Sequence, residues 1–171
     1  MPDSVVETGD CLFYGCDNLV TVNLSDNLAY IDQGYFYQCN SLRTIKIPSK
    51  CEFIGKSAFL ECYNLQSVDF SDCENLKEIK EYAFYSCQSL RSITLPNCLT
   101  SIGDGVFNDC TRLRDVYIPQ SVTSIGEYAF YGCPSNLTIS CGATKKPSGW
   151  DSTWNYITSN KKASVKWGVK K

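Results

Sequence analysis

The apolar positions of this chain follow one phrase that returns again and again. Cys39 is followed by Leu42, Ile45, Ile47, Pro48, Ile54, Gly55, Ala58 and Phe59, then by Cys62. Cys87 leads in the same order to Leu90, Ile93, Leu95, Pro96, Leu99, Ile102, Gly103, Val106 and Phe107. Cys110 leads to Leu113, Val116, Ile118, Pro119, Val122, Ile125, Gly126, Ala129 and Phe130. The shared phrase is Cys-x-x-Leu-x-x-Ile-x-Ile-Pro-x-x-Val-x-x-Ile-Gly-x-x-Ala-Phe-x-x-Cys. Its Phe and Cys recur six times, at Phe13/Cys16, Phe36/Cys39, Phe59/Cys62, Phe84/Cys87, Phe107/Cys110 and Phe130/Cys133, with phenylalanine spacings of 23, 23, 25, 23 and 23 residues. A unit this short cannot bury its apolar side alone. Copies must stack, each filling one layer of a continuous core, so the chain is expected to be a solenoid.

Each part of the phrase predicts an element. In Ile45-Lys46-Ile47, Ile93-Thr94-Leu95 and Val116-Tyr117-Ile118, apolar and polar positions alternate as in a strand with one face buried. Pro48, Pro96 and Pro119 follow directly, where the missing amide hydrogen is not needed by a continuing ladder. The Ile-Gly pairs at 54/55, 102/103 and 125/126 suggest a second extended piece that ends in a turn, and the Ala-Phe segment is long enough for one helical turn. Each coil then advances by about 4.8 Å, the spacing of neighbouring strands, and the stacked strands form a parallel sheet.

Leu-x-x-Ile-x-Ile-Pro joined to Ile-Gly-x-x-Ala-Phe-x-x-Cys resembles the BspA-type leucine-rich repeats, of the roughly 23-residue subclass found in large surface proteins of bacteria and some protozoa. The likeness covers residues 2 to about 141. It implies a leucine-rich repeat solenoid: a right-handed curved coil with a parallel β-sheet on the concave face, and short strands and helical turns on the other side. The last stretch, with Cys141, Pro147-Ser148-Gly149-Trp150-Asp151, Trp154-Asn155, Val165 and Trp167-Gly168, is similar to a segment that often ends such proteins. The expected organisation is therefore leucine-rich repeats over 1–141, a half unit followed by about five units, and a capping segment over 142–171.

Departures from the phrase carry information. Pro2, Val5, Gly9, Leu12 and Phe13 fit only its second half, so the first coil is expected either to continue a longer protein or to be covered by a partner or a second copy. The first full unit has Ser25 and Asp32 in place of Pro and Gly. The unit running through Phe70-Ser71-Asp72-Cys73-Glu74-Asn75-Leu76 is two residues longer than its neighbours, and the excess should bulge outward after the strand. After Gly142 the chain holds seven lysines, one acid (Asp151) and all three tryptophans, Trp150, Trp154 and Trp167, within an overall formal charge of −2. These rings are expected to form a lid over the last coil. The alternative is an aromatic ligand site among lysines.

Eleven cysteines are present, an odd number. Six fall at the repeat position and Cys51 at a core position, where a cysteine acts as a small buried hydrophobe. Cys73 and Cys98 occupy matching places in consecutive coils and are expected to approach one another, bridged or free. With no histidine and no Cys-x-x-Cys, the usual zinc spacings and every imidazole-based mechanism are excluded, and a cysteine nucleophile would lack its base. No Gly-rich phosphate loop appears. The expectation is a chain without catalytic, cofactor or metal residues.

What remains is binding. Stacking the units aligns Val20, Arg43, Gln66, Arg91 and Arg114 in one outward column, and Asn23, Lys46, Asp69, Thr94 and Tyr117 in another. Arg43, Lys46, Arg91, Arg114 and Tyr117 are thus the candidate partner-binding residues, the cations for an acidic partner and the tyrosine as an anchor. The reading is a noncatalytic protein-binding or adhesion module whose partner is a host, matrix or other surface protein, with no nucleic acid expected. The alternative is a structural spacer that presents another domain. No apolar run approaches the roughly 20 residues needed to span a membrane. The resemblance implies a cell-surface or secreted location as part of a larger protein, whereas unpaired thiols suit a reducing, cytoplasmic interior, and that alternative stays open.

Overall fold

The computed structural model describes residues 1–171. Fourteen short strands follow in order: β1 (Tyr30–Ile31), β2 (Thr44–Lys46), β3 (Phe53–Ile54), β4 (Ser67–Asp69), β5 (Glu78–Ile79), β6 (Ser92–Thr94), β7 (Ser101–Ile102), β8 (Asp115–Ile118), β9 (Ser124–Ile125), β10 (Thr138–Cys141), β11 (Gly149–Trp150), β12 (Tyr156–Thr158), β13 (Lys161–Lys162) and β14 (Ser164–Lys166). They wind into a solenoid with a parallel ladder on two sides. The Leu-x-x-Ile-x-Ile segments supply β2, β4, β6, β8 and β10, in which Ile45, Ile93 and Val116 point inward and their polar neighbours outward. The segments at the Ile-Gly position supply β1, β3, β5, β7 and β9 of the six-stranded sheet β1-β3-β5-β7-β9-β11, so the second extended piece of the phrase is a true sheet. Coils approach one another closely here. A Cβ on Gly55 would lie 2.6 Å from the backbone of Asp32 in the preceding coil, which is why the position after this Ile favours glycine.

A third ladder runs along the Ala-Phe segments. In place of helical turns these segments form hydrogen-bonded turns, and the molecule contains no helix, hence none long and apolar enough to cross a membrane. The reason lies in the backbone. Positive φ occurs two residues before and two residues after each of the six repeat phenylalanines: Cys11 and Gly15, Gly34 and Gln38, Ser57 and Glu61, Tyr82 and Ser86, Gly105 and Asp109, Tyr128 and Gly132. Left-handed residues at that spacing break any α-helical run and cost roughly 1 kcal/mol each where they are not glycine. They turn alternate amides along the solenoid axis. Cys11, Phe13 and Gly15 donate to the carbonyls of Gln33, Tyr35 and Tyr37 (2.9, 2.8 and 2.9 Å), and the same three bonds recur at each of the next four coil boundaries. Each bond contributes about 1 kcal/mol, which offsets the strain.

Inside the coils the phenylalanines stack. Centroids from Phe13 to Phe130 are 5.0–5.6 Å apart with rings within 15° of parallel. Beside them runs the cysteine column. The thiols of Cys39, Cys62, Cys87, Cys110 and Cys133 donate to the carbonyls of Phe13, Phe36, Phe59, Phe84 and Phe107 at 3.0–3.3 Å. A thiol fits because it is small and apolar yet carries a weak donor. All eleven cysteines are free, and Cys98 donates its thiol hydrogen to the carbonyl of Cys73 (3.3 Å).

The tail adds a last rung on both sides: β11 pairs with β9, and β14 pairs with β10. Trp150 and Trp154 are buried, and Trp154 meets Phe130 edge-on at 6.1 Å, ending the phenylalanine stack. The Trp150 indole donates to Val122 C=O (3.1 Å), and Gly132 N–H is received by Ile157 C=O (3.0 Å). At the other end nothing equivalent covers the core: Val6, Leu12, Tyr14 and Val20 are exposed.

Candidate functional site

The Leu-x-x-Ile-x-Ile side is interrupted between β4 and β6, and before β2 the first coil forms no strand there and meets the next through one bond, Arg43 N–H to Val20 C=O (3.3 Å). Its strands form two separate sheets, β2-β4 and β6-β8-β10-β14, with no pairing between β4 and β6. Elsewhere the carbonyl before each strand receives the next coil: Arg43 C=O accepts Gln66 N–H and Arg91 C=O accepts Arg114 N–H, both at 2.8 Å. No bond joins Arg91 N–H to Gln66 C=O. At the far end of the strands, Ile47 N–H reaches Asp69 C=O (2.9 Å) and Leu95 N–H reaches Tyr117 C=O (3.1 Å), but Phe70 N–H has no such partner on β6. The break coincides with the two-residue excess between β4 and β5. Asp69 Oδ1 accepts Ser71 N–H (2.9 Å), which starts the extra loop and holds the Asp69 carboxyl below its ordinary range. Val68 is only half-buried where its counterparts Ile45, Ile93 and Val116 are buried.

The unpaired edges of β4 and β6 leave a cleft of about 820 Å³. Ser67, Asp69 and Glu74 face it from one side, and Ser92, Thr94 and Cys98 from the other. The other ladders pass this boundary intact. Ser57, Phe59 and Glu61 donate to Glu81, Ala83 and Tyr85 (2.9, 2.7 and 2.9 Å), and Phe59 stacks on Phe84 at 5.0 Å.

The sequence-predicted residues distribute around this cleft unequally. Arg43, Arg91 and Arg114 are exposed beside the strands, with Gln66 and the missing rung between the first and the other two. Lys46 is exposed but paired: its Nζ lies 2.7 Å from Asp72 Oδ2 in the extra loop, which raises the Lys46 pKa. Tyr117 departs from expectation. It is buried, because the end of the chain returns across the sheet, where Tyr117 Oη donates to Val169 C=O (3.5 Å) and Lys171 Nζ stands 5.1 Å from the ring centroid. Lys171 Nζ also donates to Thr94 Oγ1 (2.7 Å), so this lysine lines the cleft together with the largely covered tyrosine. Sequence reasoning aligned Asp69 and Thr94 with the outward column but did not assign them a role, and it passed over Ser67, Ser92 and Lys171. The 25-residue interval was the signal for the first four; Lys171 has none, since nothing in a repeat pattern places a chain end.

Two buried thiols near the cleft, Cys73 and Cys51, are held neutral. Burial pushes Cys73 up to about 11 and Cys51 up to about 12, so neither ionises near neutral pH. No group of three or more histidine, cysteine or acidic side chains is placed to hold a metal ion.

Comparison with known proteins agrees with this architecture. Residues 1–86 and 33–147 match the BspA type leucine rich repeat region, in six copies. No match is found among curated proteins. Among solved structures, a T. pallidum leucine-rich repeat protein is 28% identical, with a TM-score of 0.59 over 94% of this chain and 67% of that one. A leucine-rich cell surface protein from Faecalibacterium prausnitzii A2-165 is also 28% identical, with a TM-score of 0.62 over 87% of this chain and 45% of that one. A leucine-rich repeat protein from Eubacterium ventriosum shares the fold at 24% identity and a TM-score of 0.59, over 81% of this chain and 32% of that one. The chain thus spans less than half the length of the latter two. A 23-residue phrase, a sheet on its Leu-x-x-Ile-x-Ile side and a six-copy match lead to one assignment: the chain belongs to the BspA-type leucine-rich repeat family.

Proposed function

We propose that this chain is a noncatalytic protein-binding module of a cell-surface or secreted protein, and that its partner docks on the Leu-x-x-Ile-x-Ile sheet. The observation that carries this reading is the break between β4 and β6. It opens a cleft with unpaired backbone edges in the middle of the sheet, beside exposed Arg43, Arg91 and Arg114. Unpaired strand edges accept an extended segment of another protein through main-chain bonds, and arginines beside them favour an acidic one. Lys46, tied to Asp72, and Lys171, held on Thr94, border the same area. Tyr117 would take part only after the chain end moves away from it. The surface location is supported by the relative from F. prausnitzii, which is described as a cell surface protein.

The test is a charge reversal. A variant carrying R43E, R91E and R114E should fold as the parent does and lose at least about tenfold in attachment to cells or matrix proteins, as expected when complementary rim charges turn repulsive. Unchanged attachment would remove this face as the adhesive surface and leave the role of a spacer.

A further inference from the structure

A second concavity lies on the coil edge formed by the positions two residues before each phenylalanine. That column reads Cys11, Gly34, Ser57, Tyr82, Gly105 and Tyr128, all with positive φ. Gly105 stands between two tyrosines and has no side chain. The Tyr82 ring uses that space: its Cε1 and Cδ1 lie 2.6 and 2.8 Å from where a Cβ on Gly105 would be. Beyond it the surface opens into a pocket of about 600 Å³, within the size range of small-ligand sites.

The walls are phenolic and the charges are all negative. Tyr82, Tyr128, Tyr131 and Tyr156 line it together with the carboxylates of Asp104 and Glu127, and no lysine or arginine is among its lining residues. Tyr82, Tyr128 and Tyr131 are 39, 41 and 37% exposed and lie together around one opening. The rings are held. Tyr128 and Tyr131 meet edge-on at 5.7 Å, and Tyr128 N–H donates to Thr153 Oγ1 (3.4 Å), which is fixed by its own donation to Asp151 Oδ1 (2.6 Å). Asp104 Oδ1 accepts Glu127 N–H (2.8 Å), which fixes that carboxylate beside the rings. One wall already makes such a pair, Lys162 Nζ sitting 4.7 Å from the centroid of the Tyr156 ring, which leaves Tyr82, Tyr128 and Tyr131 as the rings open to a ligand.

Electron-rich ring faces beside carboxylates, with no competing cation in the lining, recognise organic cations. We infer that this pocket binds a alkylated ammonium or guanidinium head group, either free or carried on the side chain of a partner polypeptide. It is separate from the cleft at the sheet break and does not depend on the role proposed for that cleft.

The test follows tyrosine ring resonances of the whole chain during titration with tetramethylammonium, with Nα-acetyl-arginine amide and with neopentyl alcohol, a neutral molecule of similar shape. Saturable shifts of the Tyr82, Tyr128 and Tyr131 rings with either cation, and none with the alcohol, are expected; which cation binds tighter distinguishes the free ammonium from the side-chain source. Tyr128→Gly removes a ring while matching the backbone that Gly34 and Gly105 already adopt, and Glu127→Gln removes a charge. Each should weaken binding about threefold to tenfold, the range of single cation–π and ion contacts, with thermal unfolding unchanged in Glu127→Gln. Equal binding of the alcohol, binding unaffected by both substitutions, or saturation by a methyl glycoside without any by the cations would overturn the assignment.

Discussion

At the scale of the residue, the thiol explains why this phrase keeps a cysteine beside every phenylalanine. It occupies the volume of a small hydrophobe and still gives a hydrogen to a carbonyl that the turn brings within reach, in five consecutive coils. The same burial removes its reactivity. At pH 8, an aromatic disulfide reagent should modify Cys11 and Cys16 at once, Cys98 more slowly, and the other eight only after denaturation. Fewer than eleven thiols in denaturant without reductant would show that some are bridged. The sequence already marked these cysteines as core. What it did not show was the acceptor, because the Phe carbonyls face the thiols only through positive φ values at residues such as Gln38, Glu61 and Asp109, whose side chains carry no preference strong enough to announce them.

At the scale of the element, both sheets and the extra loop were legible, and each for a stated reason. Period-two alternation marked β2, β6 and β8; the proline after each marked its end; the 25-residue interval marked the irregular coil. The absence of helix was not legible, since Ala-Phe-x-x-Cys suits a helical turn as well as the turn observed. Nor was the cleft, because an insertion tells where length is added but not which hydrogen bonds it removes. Deleting Ser71 and Asp72 restores the common length and should restore the missing rung. Hydrogen exchange at Arg91 N–H, unprotected by any coil in the parent, should then slow about tenfold or more as a ladder bond forms. Unaltered exchange would separate the break from the insertion.

At the scale of the whole molecule, the eight buried thiols, Cys51 and Cys73 among them, share one dependence on pH. Cys39 is held at about 11 and Cys133 and Cys141 at about 12, all by burial, with Cys62, Cys87 and Cys110 raised as well. In the unfolded chain a thiol ionises near 8.5. Above that pH the unfolded state sheds protons that the folded state retains, so stability, fully present below about 8.5, falls as pH rises toward 11. The melting temperature should therefore drop between pH 8 and 9.5, before tyrosines titrate; a flat profile there would mean that the column is solvated. The repeat pattern gave no access to the chain end over Tyr117, which depends on where one unrepeated segment comes to rest.

The break between β4 and β6 has a mechanical meaning. With the backbone ladder and ring stack intact behind it, the two halves of the solenoid are joined along a spine and parted along one margin, as the pages of a book are. Opening that margin stretches no hydrogen bond between β4 and β6, while the rungs from Ser57, Phe59 and Glu61 to Glu81, Ala83 and Tyr85 hold the same boundary from behind. Whatever force parts the two edges is therefore carried by that spine.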